Sequence, residues 1–141
     1  MARIKVDLPE KFSYSTSLQI RITDLNYGGH VGNDKILSLM HEARVDYLNS
    51  LGYSELEFEG VSLIMSDAAI EFKSELFYGE AVTIEVAVND LTRVGFDIYY
   101  RLKKNDTVVA LAKTGMVCFD YPTKKVAALP PLAKSKLSSH P

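Results

Sequence analysis

The stretch DKILSLMHEARVDYLNSLG, residues 34–52, carries the one long helical pattern of this chain. Ile36, Met40, Ala43, Tyr47 and Leu51 recur at helical spacing, and Leu37 and Leu48 widen the stripe. Asn33 stands where an N-cap is expected, and Asp34 adds negative charge to the first turn, where the helix dipole favours it. Gly52 is placed to end the element. The spacing therefore predicts a helix from about residue 33 to 51, about five turns long. Its apolar stripe has to be covered by something else in the chain.

The cover is read from the flanking segments, which alternate with period two. Leu18, Ile20 and Ile22 alternate with Gln19, Arg21 and Thr23, so a strand is expected to enter the loop before the helix. After Gly60, Ile64, Ala68, Ile70 and Phe72 share one face; Val82, Ile84, Val86 and Val88 follow, then Val94 to Leu102, then Thr107 to Phe119. Turn residues separate these runs at Tyr78-Gly79, Asn89-Asp90 and Lys104-Asn105-Asp106. The order is β-α-β-β-β-β, with hairpin links, which predicts a curved antiparallel sheet of five or more strands around the helix, an α+β arrangement. Residues 1–11 read as a loose lead-in, and no element is assigned to the tail after Tyr121. Leu63, Met65, Val109, Leu111, Val117 and Phe119 carry the opposite parity, an apolar second face that points to a homo-oligomer with an isologous interface.

The composition sets outer limits. One domain spanning residues 1–141 is expected, with its core at about 15–125. Apolar residues make up 47% and charged residues 24%, and the net charge of −2 gives nucleic acid or an anionic membrane no purchase. No run approaches the roughly 20 apolar residues that span a bilayer, and MARIKVDLPEKF lacks a secretion signal, so a cytoplasmic protein is expected. Cys118 is the only cysteine and reads as a packed strand residue. His41 on the helix and His140 in the tail join no ligand spacing, so neither metal nor cofactor is expected.

Before the helix stands DLNYGGHVGND, residues 24–34. Two readings fit it. In one, Gly28-Gly29 serves a turn, Asn33 caps the helix and His30 is an ordinary loop histidine. In the other, the loop holds a reacting group at a helix N-terminus. Its glycines do not follow the spacing of a phosphate-binding loop.

Asp24, His30, Val31 and Asn33, followed by Glu42 on the helix, resemble the motif of the hotdog-fold acyl-CoA thioesterases. The similarity is to the branch with 4-hydroxybenzoyl-CoA thioesterases and plant acyl-carrier-protein thioesterases, whose pattern is Asp-x-Asp-x-x-x-His-Val-Asn-Asn. EFKSELFYGEAVTIEV resembles the strand-turn-strand that follows the helix in that family, and the likeness runs over roughly residues 15–125. It implies a hotdog fold, hydrolysis of an acyl-CoA or acyl-carrier thioester without a cofactor, and a site shared in a homodimer or dimer of dimers. One position departs: the family's second aspartate, its general base or nucleophile, is Asn26 here, and the asparagine of the plant branch is Gly28.

Thioester hydrolysis needs an aimed water, a proton acceptor and a place for the oxyanion. Backbone amides of Gly29 to Val31 are the expected oxyanion donors, with Gly28 and Gly29 leaving room for the substrate. Asn26 and His30 are expected to hold the water, framed by Asp24 and Asn33. The missing acid falls to Glu42, reached from a partner subunit, or to Asp67, which interrupts the small and apolar run LIMSDAAI. The competing readings are a solvated helix charge for Glu42 and a Lys- or Arg-paired rim residue for Asp67. Arg93, and less so Lys113, are candidates for the coenzyme phosphates, against an ordinary strand-end charge. Asn26 also supports a second function, an acyl-CoA-binding protein without catalysis. A hydratase on the same fold is disfavoured because its loop spacing is absent.

Overall fold

In the computed structural model, which describes residues 3–139, the helix predicted from residues 33–51 is α1, Asn33–Ser50. It buries Ile36, Leu39, Met40, Ala43, Tyr47 and Leu48, so the core stripe is the one read from spacing, with Leu39 in place of Leu37. Leu37 is exposed. The N-cap is Gly32, in extended conformation, and Asn33 is the first helical residue. The Asp34 carboxylate folds back over Gly32, where an added Cβ would lie 2.6 Å from its Oδ1. At the other end Gly52 adopts φ +85°, and the amides of Gly52 and Tyr53 donate to Asn49 O (2.9 Å) and Leu48 O (2.8 Å). That is a Schellman closure, which needs a residue tolerant of positive φ one place past the cap.

The strands β1 (Tyr14–Gln19), β2 (Ser62–Phe72), β3 (Ala81–Asn89), β4 (Gly95–Lys104) and β5 (Thr107–Asp120) form one antiparallel sheet in the order β1-β3-β4-β5-β2. The short β6 (Lys125–Val126) pairs with the end of β5. The sheet curves around α1 without closing, and one apolar cluster reaches from Ile20 to Leu137. Fold class and strand number match the expectation.

The structure corrects several details, each for a local reason. The first strand ends at Gln19, because Asp24 Oδ2 accepts the Arg21 amide (2.8 Å) and closes a 3₁₀ turn over Ile22–Asp24. Ile22 is consequently exposed. In β2 the register shifts between Met65 and Asp67, so Ser66 is an extra residue whose hydroxyl donates to Gly115 O (3.2 Å). A bulge exchanges the two faces of a strand. Leu63 and Met65 therefore face inward, opposite Cys118 and Met116, together with Ala68 and Ile70 beyond the bulge, opposite Thr114 and Ala112. The second face is left with Leu111, Val117 and Phe119, half-buried.

The Leu111 end of that outer face already has a cover. The lead-in is an ordered strap: Val6 is buried and its amide donates to Glu71 Oε1 (2.6 Å), while the Arg101 guanidinium sits 4.6 Å over the Phe12 ring. The Val6 amide and then Lys73 hold the Glu71 carboxyl below the usual carboxylate range, against an opposing effect of desolvation. The tail carries a helix, α2 (Pro131–Ser138), which buries Ala133 and Leu137; Lys136 Nζ donates to Leu51 O (3.2 Å) at the C-terminus of α1. His140 lies outside the described residues. Among the described residues, no helix is long and apolar enough to cross a membrane.

One polar network crosses this core. Arg44, on α1 and buried, donates through Nε to Glu55 Oε1 (2.8 Å) and through an Nη to Tyr100 Oη (3.2 Å). Tyr100 Oη lies 2.8 Å from Thr114 Oγ1, so the network joins α1, the α1–β2 connection, β4 and β5. A guanidinium buried in apolar surroundings persists because its donors are met.

Candidate active site

The loop ahead of α1 is a tight hairpin turn. Leu25 and Val31 face each other across a bridge, and Asn26 N–H donates to His30 O (2.8 Å). Gly29 N–H donates to Asn26 O (3.1 Å), and Asn26 Oδ1 accepts Gly28 N–H (2.8 Å) as an Asx turn. Gly29 sits at φ +83°, a conformation that explains glycine there. Asn26 thus builds the turn with its carbonyl side.

The turn is pinned to the β2–β3 connection. Val31 N–H donates to Leu76 O (2.9 Å), and His30 bridges to Phe77. The His30 ring meets the Phe77 ring edge-on, with centroids 6.5 Å apart. Its Nδ1 lies 3.2 Å from Val31 O, which assigns the neutral ring's proton to Nδ1 and leaves Nε2 as an acceptor. Nε2 is 3.8 Å from Glu75 Oε1. That gap exceeds a direct hydrogen bond, and it suits one water donating to both acceptors.

These groups open onto a hollow of about 260 Å³. Val31, Ile36, Phe72 and Leu76 give it apolar walls, and Asn33, Lys73, Ser74 and Glu75 supply its polar groups. Asn33, the first residue of α1, lines it, so the start of the helix, where the first amides have no i−4 partner, lies at its wall. The expected oxyanion donors are corrected here. Gly29 and Val31 amides are spent on Asn26 and Leu76, and Lys35 N–H on Gly32 O, which leaves the His30 amide and the Asn33 and Asp34 amides at the start of α1 for an oxyanion.

The remaining residues singled out from the sequence lie elsewhere. Asp24 is buried and caps the 3₁₀ turn. Together with Arg21 and Glu42 it lines a separate hollow of about 230 Å³ beside β1. Asp67 is exposed on the outer face, its Oδ2 3.5 Å from Lys113 Nζ, which also lies 3.7 Å from Asp97 Oδ2. The rim-pair reading of Asp67 describes what is there, and Lys113 is committed to it. Arg93 stands in the β3–β4 hairpin, beside the Cys118 end of β5, whereas the hollow lies beside the Ala110 end. At about 3.3 Å per residue the two are roughly 25 Å apart along the strand. His41 pairs with Glu55 at 3.3 Å. Burial pushes the Cys118 thiol up to about 11.

Glu75 is the residue that sequence reading missed. Its signal was the polar triplet Lys73-Ser74-Glu75, set between the apolar Phe72 and Leu76 just where period two breaks down.

Comparison with known proteins adds to this geometry. A family model described as the thioesterase-like superfamily matches residues 20–137. A 1,4-dihydroxy-2-naphthoyl-CoA hydrolase of Microcystis aeruginosa is 31% identical over 114 residues, 79% of this chain and 83% of that protein. An acyl-CoA thioesterase of Haemophilus influenzae is 22% identical over 125 residues, 86% of this chain and 92% of that one. The crystal structure of a 1,4-dihydroxy-2-naphthoyl-CoA thioesterase from Synechocystis superposes with a TM-score of 0.82 at 22% identity, covering 91% of this chain and 98% of that one. That likeness establishes the hotdog fold. The histidine turn, the helix N-terminus beneath it and a match extending over most of the sheet have one common account: the chain belongs to the thioesterase-like superfamily.

Proposed function

We propose that the protein hydrolyses the thioester of an acyl-CoA in the hollow between His30, Glu75 and the start of α1. The observation that carries this reading is the pair of proton acceptors, His30 Nε2 and Glu75 Oε1, 3.8 Å apart at the mouth of an apolar-walled hollow. The acyl-CoA class comes from the names of the relatives above. A water held between the two acceptors attacks the thioester carbon, and His30 Nε2 takes its proton. Glu75 orients that water and stabilises the imidazolium that forms. The oxyanion is met by the first amides of α1, one such donor being worth about 10²- to 10³-fold in rate. Collapse of the tetrahedral intermediate breaks the C–S bond, and the imidazolium returns its proton to the departing thiolate. Free acid and CoA are the products.

Release of free thiol from a panel of acyl-CoA chain lengths and aryl-CoA esters tests this directly. Turnover on at least one member is expected. Absence of turnover across the panel, with binding retained, would leave the acyl-CoA-binding reading instead.

Asn26→Asp separates the two readings further. A carboxylate accepts the Gly28 amide as the carboxamide does, so the turn is kept and an acid is placed beside His30. Activity equal to or above that of the wild type is expected. Turnover that appears only in Asn26→Asp would mean that the natural chain binds without hydrolysing.

The active unit is a homo-oligomer in this reading. Strand β2 is a sheet edge, and on it Met65 (47% exposed) and Phe72 (49%) face inward by register yet remain uncovered. Leu37, His41 and Val45 form an exposed stripe along α1, and Glu55 ties His41 to the start of β2 by accepting Leu63 N–H on its carbonyl (2.6 Å). Phe72 also lines the hollow, so a second copy seated on this edge completes the wall of the site. Sedimentation at micromolar concentration is expected to show a dimer or tetramer. A monomer that retains full activity would contradict it.

A further inference from the structure

We infer that Lys104, at the end of β4, is a positioning residue for the Glu75–His30 pair. The inference rests on the reading of those two residues given above. Three contacts converge on one ammonium group, all within the Glu75–Glu80 connection. Lys104 Nζ donates to Glu75 O (2.8 Å), lies 3.4 Å from Glu80 Oε2, and stands 5.4 Å over the Phe77 ring. Glu80 in turn accepts the Phe77 amide through Oε1 (2.7 Å). The Lys104 side chain is 23% exposed, its stem is covered, and its ammonium is directed at these partners.

The clamp sits at the right place to act on the chemistry. The Glu75 side chain is 60% exposed, and its carboxylate meets the His30 ring from the β2–β3 connection, outside any strand. Its reach to His30 Nε2 therefore depends on where the backbone at 75–77 starts the side chain. Two ties hold that backbone to the turn before α1, the Val31 to Leu76 hydrogen bond and the packing of Phe77 on His30. Lys104 supplies a third from the other side, a carbonyl, a carboxylate and a ring of the same connection at once. It approaches from the β4–β5 hairpin, where Asn105 takes φ +53° to turn the chain directly after it. Its neighbour Lys103 pairs with Glu85 at 3.3 Å and makes no contact of this kind.

Removing the ammonium should loosen the carboxylate while leaving the hollow and its apolar walls in place. Misplacing a reacting group by about an ångström can cost as much as 10²-fold. Lys104→Met is expected to lower kcat by about tenfold while KM stays within about twofold. Lys104→Arg, which keeps the cation and its donors, is expected to recover most of the rate. Lys103→Met serves as the charge control and should leave kcat near wild type.

The deciding measurement is the pair Lys104→Met and Glu75→Gln with their double variant, each with KM, kcat and a thermal midpoint. If Lys104 acts through the Glu75 carboxylate, Lys104→Met costs nothing further in the Glu75→Gln background. A full additional loss there, or a kcat for Lys104→Met within twofold of wild type, overturns the inference. Glu75→Gln at wild-type kcat would instead overturn the underlying reading of the site, a separate result. Should Lys104→Met fold poorly, Glu80→Gln opens the same clamp from its other member and is held to the same comparison.

Discussion

His30→Ala and Glu75→Gln are each expected to lower kcat for an acyl-CoA thioester by about 10²- to 10⁴-fold, the range for a lost general base or its orienter. Both should leave KM comparatively unchanged, because the apolar walls contributed by Val31, Ile36, Phe72 and Leu76 are untouched. The effects should be less than additive, since the two groups are proposed to act on one water. Asp67→Asn is expected to stay within a few-fold of wild type, because Asp67 faces outward and pairs with Lys113. Glu42→Gln discriminates between two sources for the acid. Glu42 lines the hollow beside β1, away from its own His30, so a loss on Glu42→Gln equal to that on Glu75→Gln would place the partner subunit's Glu42 in the site. Steady-state kinetics on the four variants decides between these assignments.

The second large effect is on stability. Arg44→Met is expected to destabilise the fold by about 2–4 kcal/mol, read as a lower urea midpoint at unchanged slope. The substitution keeps the aliphatic stem that packs in the core but removes the partner of Glu55 and of the Tyr100 hydroxyl. The value is placed below the extreme for buried pairs because the Glu55 side chain is 27% exposed and can recover solvent, and His41 remains beside it at 3.3 Å. Tyr100 keeps Thr114 as partner. A midpoint within experimental error of wild type would mean that the network adds specificity of packing and little free energy.

What the sequence alone determined rests on periodicity. Ile36, Met40, Ala43 and Tyr47 could be read as a core stripe because a helix of 3.6 residues per turn brings them to one side, whatever lies opposite. The alternation through β3, β4 and β5 marked an antiparallel sheet on equally local grounds, and the His30 turn with Asn33 pointed to the family. Local rules failed where two arrangements of similar local energy competed. Asn33 and Gly32 are both acceptable N-caps, and Gly32 takes the place, with the Asp34 carboxylate lying where a Cβ at 32 would stand. The Ser66 bulge has no periodic signature, yet it exchanged the faces of β2 and turned Asp67 outward and Met65 inward. Which carboxylate stands beside His30 was settled only in three dimensions. Residues 30 and 75 share no sequence pattern; the docking of the β2–β3 connection on the turn before α1, through Val31 and Leu76, brings them within 3.8 Å. Long-range packing of that kind depends on how whole elements are covered, and no local window of residues encodes it.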